Sequence, residues 1–231
     1  MPALHRAQSR RWTDLPKRVA SALALAIPAL AVIWYGGIVF DLAVVAVTVA
    51  LWLEWARLCR RGGSPALWAA GLAWIALAAA ALVSLRADPT AGRVNLMFVV
   101  FLVWATDIGA YAAGRAIQGP RLAPHISPGK TWSGAAGGLL AAVAAGLIVA
   151  ANCGPPSGLP AAAAIAAFLS IIGQSGDLLE SLAKRHFGVK DSGHLIPGHG
   201  GALDRLDAML AVLPVAWLLA QLAGHGVVMW Q

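Results

Sequence analysis

The chain has 231 residues, 59% of them hydrophobic and only 12% charged, with a formal net charge of +7. Length alone would allow one or two soluble domains, but apolar runs long enough to cross a bilayer recur throughout, which excludes an ordinary soluble enzyme. The two cysteines, Cys59 and Cys153, are predicted on opposite sides of the membrane, which excludes a disulfide between them.

Seven membrane spans are predicted: Val19–Trp34, Ile38–Leu53, Leu67–Leu85, Val94–Ala113, Gly134–Ala151, Ala161–Leu179 and Leu206–Leu222. The expected fold is an all-α polytopic membrane protein. It divides into a basic N-terminal segment (1–18), N-terminal transmembrane helices (19–93) and a C-terminal transmembrane region (94–231) that carries the candidate site residues. Charge placement orients the spans. Arg6, Arg10, Arg11, Lys17 and Arg18 precede the first span, and Arg57, Arg60 and Arg61 follow the second. Arg115, Arg121 and Lys130 follow the fourth, and Lys184, Arg185, Lys190 and Arg205 lie before the last. These are all but two of the 17 lysines and arginines, and alternating spans put them on one side. By the positive-inside rule that side is the cytoplasm, with the N-terminus inside. The positive charge thus reads as topology and attraction to anionic lipid, not as nucleic-acid binding.

In chain order, residues 1–18 read as an uncleaved, topogenic anchor segment with Trp12 at the interface. Asp41 opens the second span, and Glu54–Trp55 closes it as an interfacial pair. Leu67–Leu85 is featureless, its Trp68 and Trp74 packing or facing lipid. The fourth span differs, because WATDIGAYAAGR sets Asp107 in apolar sequence with Tyr111 one turn on. A carboxylate at that depth is costly unless it is paired or lines a wet cavity, which makes it a functional candidate.

The next loop, GPRLAPHISPGKTWSG, is predicted to hold Ser127, Lys130 and Thr131 irregularly before the fifth span. Its GKT ending is not a nucleotide P-loop, since Pro124 stands where that motif requires glycine and the soluble strand and helix are missing. The sixth span should run without a break into GDLLESLAKRHF, placing Asp177, Ser181 and Lys184 on one helical face. From Gly188 to Gly201 the chain is glycine-rich, contains Pro197, and cannot be a regular helix. Asp204 and Asp207 then stand three apart where helix resumes, so that two carboxylates can share a metal. Half of the chain's ten acidic residues fall between Gly176 and Asp207, mixed with Lys184, Arg185, Lys190 and Arg205. That mixture suits a metal-bound polyphosphate. His194 and His199 lack the spacing of a zinc site. The segment HGVVMWQ reads as an external tail.

Ser181, Lys184, Arg185, Lys190, Asp191, Pro197, His199, Gly200, Gly201, Asp204, Arg205 and Asp207 form a string at fixed spacing that resembles the signature of the phosphatidate cytidylyltransferase (CDP-diacylglycerol synthase) family. WATDIGAY and SPGKTWSG resemble two further segments of that family, with Ser133 standing where the family usually has Glu or Gln. The resemblance covers roughly Trp104 to Asp207. It implies transfer of CMP from CTP to phosphatidic acid at a cytoplasmic site in the inner membrane, with magnesium as cofactor, a place for potassium left open, and a homodimer.

On that reading Asp177, Asp204 and Asp207 hold the metal. Lys184, Arg185, Lys190 and Arg205 divide two phosphate groups among them, Ser181 orients a phosphate or metal ligand, and Asp191 binds metal or fixes a neighbouring base. Asp107, Tyr111, Ser127, Lys130, Thr131, His199, Gly200 and Gly201 complete the substrate-binding set. A transporter using Asp107 and Asp177 is the rival from another class, but the charges cluster on one side without an inverted counterpart. A CDP-alcohol phosphotransferase is the rival enzyme, and its final aspartates stand four apart, not three.

Overall fold

Among the described residues seven α-helices carry the chain, and a small hairpin interrupts them in a stretch rich in Pro and Gly. The structure, a computed structural model, describes residues 15–193 and 200–231. Pro197, His194, His199 and most of the basic N-terminal segment lie outside the described residues. The helices are α1 (Leu15–Tyr35), α2 (Gly37–Cys59), α3 (Pro65–Ala87), α4 (Gly92–Ala116), α5 (Trp132–Cys153), α6 (Leu159–His186) and α7 (Leu203–Ala223). Among the described residues six of them, α2 to α7, are long and apolar enough to cross a membrane. The chain is a polytopic all-α membrane protein, as its composition indicates.

Two compact units are recognised, Met1–Ala43 and Val44–Gln231. In the first, α1 ends at Gly36, whose amide bonds back to Val32 O at 2.9 Å. Gly36 and Gly37 both adopt left-handed backbone (φ 69° and 64°), which separates α1 from α2.

The second unit is built around α4, whose Leu96, Phe98, Val99 and Leu102 are fully buried. With lipid outside, helices gain little from hydrophobicity and associate by close packing of small residues. α4 and α5 follow this rule, since a Cβ on Gly109 would come within 2.6 Å of Gly137 O and one on Gly138 within 2.8 Å of Thr106 O. α3 starts at Pro65, two residues before the expected span, with Ser64 accepting from Leu67 N (3.2 Å) and Pro65 in the first turn. The indoles of Trp52 and Trp55 donate to Leu72 O and Trp68 O, tying α2 to α3.

Three expectations are corrected. The loop after α4 is a two-stranded antiparallel hairpin, β1 (Arg121–Ala123) and β2 (Ser127–Thr131), with Arg121 opposite Thr131. Backbone pairing therefore fixes Ser127, Lys130 and Thr131, in place of the expected irregular loop. The tail HGVVMWQ is folded back: Asn95 accepts from Met229 N at 2.9 Å, and Trp230, 1% exposed, stacks on Phe98 at 4.6 Å. Glu54, expected as half of a surface pair with Trp55, is completely buried within the protein.

Candidate active site

The C-terminal end of α2, the hairpin, the end of α6 and the start of α7 meet at one end of the second unit. Arg185 at the end of α6 donates to Ile126 O in the hairpin (3.2 Å) and to Val189 O (3.3 Å). Thr131 closes β2 and opens α5, its Oγ1 accepting from Gly134 N at 3.1 Å as an N-cap. Ser133 donates to Gln118 O, which ties the start of α5 to the turn after α4. The residue that stands in place of Glu or Gln thus has a local structural bond.

A polar cavity of about 350 Å³ lies against one face of α6, bounded by α4, β2 and α5. Asp107, Tyr111 and Arg115 enter its lining from α4, Lys130 and Thr131 from the hairpin, and Gln174 and Asp177 from α6. Lys130 forms an ion pair with Asp177. Tyr111 accepts from Arg115 (3.4 Å), so its hydroxyl is turned to a cation. Gln174 donates to Ala135 O and to Ser170 Oγ, each at 3.3 Å, and is held rigidly in the lining. The charges of Lys130, Arg205 and Asp177 all act on Asp107.

On another face of α6 is a groove of about 300 Å³ with a mostly apolar lining. Trp55 and Leu58 of α2, Gly71, Trp74 and Ile75 of α3, and Leu203 and Leu210 of α7 form its walls. The supposedly featureless α3 is therefore one side of a groove. Glu180, Lys184 and Asp207 also line it and give it a charged portion.

Between the two spaces α6 and α7 touch closely, because Gly176 has no side chain: a Cβ there would lie 2.4 Å from Ala211 Cβ. The contact brings Asp207 within electrostatic range of Asp177, Glu180 and Asp107. Four carboxylates gathered in a membrane-spanning region need cations around them, and Lys130, Lys184 and Arg205 are the nearby ones.

Asp204 is engaged elsewhere. Its Oδ1 accepts from Lys184 Nζ at 2.6 Å, and its Oδ2 accepts from Ser192 N (2.9 Å), Gly201 N (3.0 Å) and Ser192 Oγ (3.0 Å). Lys184 also lies 2.5 Å from Glu180. Among the described residues no three His, Cys, Asp or Glu side chains are grouped closely enough to hold one ion. The predicted trio is thus split, with Asp177 and Asp207 near Asp107 and Asp204 facing Lys184. Asp107 and Asp177 are the carboxylates that share the polar cavity.

Of the other predicted residues, Ser181 is half-buried on α6, while Lys190, Asp191 and Arg205 are exposed. Gly200 takes left-handed backbone (φ 85°). Gly201 is packed within the protein, since a Cβ on it would meet Ser192 Oγ at 2.0 Å and Glu54 Oε2 at 2.8 Å. Sequence reasoning missed Glu54, Ser192, Gln174 and Glu180. Only Glu180 carried a local signal, one turn before Lys184 on the face it shares.

A family model described as "Cytidylyltransferase family" matches residues 63–223. A phosphatidate cytidylyltransferase of Brucella suis is 37% identical over 252 aligned positions, covering 89% of this chain and 93% of the relative. Those of Bacillus subtilis and Haemophilus influenzae are 42% and 44% identical over 57% and 55% of this chain, and 49% and 46% of their own lengths. With the match running from the start of α3 to the end of α7, and so through both spaces beside α6, the chain belongs to the cytidylyltransferase family.

Proposed function

We propose that this protein is a phosphatidate cytidylyltransferase, transferring CMP from CTP to phosphatidic acid to give CDP-diacylglycerol and pyrophosphate. The observation that carries the reading is the pair of spaces on two faces of α6, one polar with Lys130 and Arg115, the other apolar with Lys184 at its charged portion. On this reading the first takes the triphosphate and the second the phosphatidic acid. The carboxylates of Asp177, Glu180 and Asp207 stand between them.

The chemistry asks little proton transfer of the protein. A lipid phosphate is already anionic near neutral pH and attacks the α-phosphorus of CTP without a general base. The bond from the α-phosphorus to the bridging oxygen breaks, and its electron pair leaves with pyrophosphate. Catalysis is then positioning and neutralisation of charge. Lys130 and Arg115 would bind the nucleotide phosphates, and Lys184 the lipid phosphate at the end of the groove. Asp107 and Asp177 suit a magnesium ion, which is commonly held by one or two carboxylates together with substrate phosphates. Bound there, magnesium would neutralise charge on the triphosphate and the departing pyrophosphate. Asp207 would support that pair, and Asp204 would act through Lys184 and the loop. Potassium could occupy the remaining carboxylate surface. The basic end would face the cytoplasm of a bacterial inner membrane, with the protein a homodimer.

The test is magnesium-dependent incorporation of labelled CTP into lipid by the purified protein with phosphatidate, beside Asp177→Asn. Labelled CDP-diacylglycerol that needs both magnesium and Asp177 is expected. Absence of labelled lipid from folded wild-type protein would overturn the reading, as would full activity of the variant.

A further inference from the structure

We propose that Glu54, on α2, is a positioning residue that anchors the start of α7 and thereby sets the site's carboxylates. The inference rests on the cytidylyltransferase reading, but Glu54 itself lies before the stretch matched by the family model, which begins at residue 63.

α7 begins at Leu203. Its capping position is Ala202, which has no side chain able to accept a hydrogen bond, so the first amides of the helix need acceptors from elsewhere. Glu54 supplies them across 148 residues of sequence. Its Oε1 accepts from Ala202 N at 3.0 Å and its Oε2 from Leu203 N at 2.9 Å. A carboxylate at a helix N-terminus is favourably placed in the field of the helix. Here it is 0% exposed, so its attraction is not diluted by water.

The surrounding chain is shaped to admit it. A Cβ on Gly193 would fall 2.7 Å from Glu54 Oε1, and one on Gly201 2.8 Å from Oε2. The glycines on both sides of the segment 194–199 thus leave the space that the carboxylate fills. Leu51, Leu58, Phe187, Leu203 and Leu210 belong to the apolar core that closes off this corner.

From Glu54 the contacts run toward the site. Ser192 Oγ has one proton and two carboxylate acceptors, Glu54 Oε2 at 3.3 Å and Asp204 Oδ2 at 3.0 Å. Asp204 in turn holds Lys184. Three residues beyond Asp204, one turn along α7, stands Asp207. Glu54 lines neither the polar cavity nor, unlike its neighbour Trp55, the apolar groove. Among the described residues, its path to the site runs through Ser192, Asp204 and the helix start.

The experiment compares wild type with Glu54→Gln and Glu54→Ala as purified full-length protein. It measures CTP and phosphatidate kinetics, thermal unfolding, and amide hydrogen exchange. Gln keeps the shape and one acceptor oxygen, so the expected order of activity is wild type, then Gln, then Ala. For Gln we expect kcat to fall roughly 10-fold to 100-fold, with the KM for CTP nearly unchanged. Exchange should rise in peptides covering Gly200–Arg205 and stay unchanged in α4 and α5. Wild-type kcat in folded Gln and Ala variants would overturn the proposal. So would a loss that merely follows the folded fraction, with exchange raised throughout. If wild-type protein makes no CDP-diacylglycerol, the reaction is wrong, and the local exchange comparison still decides whether Glu54 anchors α7.

Discussion

Lys130 on β2 and Asp177 on α6 form an ion pair in the wall of the polar cavity. The pair joins the hairpin to the central helix of the site and leaves both side chains about one-quarter to one-third exposed. On the proposed reading, a phosphate-bearing ligand entering the cavity would draw the ammonium away and leave Asp177 for a cation.

Lys130→Met should therefore weaken nucleotide use more than lipid use. We expect the KM for CTP to rise about 10-fold, about 1.4 kcal/mol, with the KM for phosphatidate unchanged. Initial-rate kinetics with each substrate varied in turn would check this. Equal rises in both constants would contradict assignment of the polar cavity to CTP.

Asp177→Asn and Asp204→Asn should both lose activity, for different reasons. Asp204 accepts four hydrogen bonds from Lys184 and the loop, so its replacement removes a half-buried pair and costs roughly 3 kcal/mol of stability. Asp177 has one cationic partner at a cavity wall, and Asn there should leave the unfolding temperature close to wild type. Raising magnesium should partly restore Asp177→Asn and leave Asp204→Asn inactive. Rescue of Asp204→Asn by magnesium would return that residue to the metal-binding set.

Gly71 is the most sensitive point of the apolar groove. A Cβ there would lie 2.0 Å from Trp55 Cε2, so Gly71→Ala must displace an indole that lines the same space. The KM for phosphatidate should rise several-fold while that for CTP holds, measurable in mixed micelles. An unaltered lipid KM would remove the groove from the lipid's path.

At the opposite end of the molecule, Asp88 joins the α3–α4 turn to the folded tail. It accepts from Gly226 N (2.6 Å), Ala91 N (2.9 Å), and both Thr90 N and Thr90 Oγ1 (2.9 Å each). Those donors, with Gly226 foremost, hold its carboxyl well below the usual carboxylate range. A carboxylate whose folded value is depressed contributes stability that is fully present above its unfolded value, near pH 4, and is lost as pH falls toward the folded one. Asp88→Asn should thus lower the unfolding temperature by a constant amount between roughly pH 6 and 8, and the difference should close below roughly pH 4. A pH-independent difference would mean that packing, not charge, explains the loss.

The sequence made the helices legible because apolar runs of bilayer length have few alternatives, and it made Asp107 and Asp177 legible because a carboxylate inside such a run is costly. The hairpin was not legible, since Pro124, Pro128, Gly119 and Gly129 gave the stretch the composition of a loop, while its pairing runs backbone to backbone. Glu54 reads from the sequence only as half of an interfacial pair, because its partners are the amides of Ala202 and Leu203, and an amide carries no residue signature. The split between Asp204 and Asp207 had the same origin. Spacing of three put them on neighbouring positions of one helix, but Lys184 and the amides of Ser192 and Gly201 decide where Asp204 turns.

The two spaces beside α6 bear on the order of events in the proposed reaction. A lipid in one and a nucleotide in the other can be present together, which permits a ternary complex. On the proposed reading CMP would then pass from donor to acceptor in a single displacement, with no covalent nucleotidyl-enzyme in between. A single in-line displacement inverts the configuration at the transferred phosphorus.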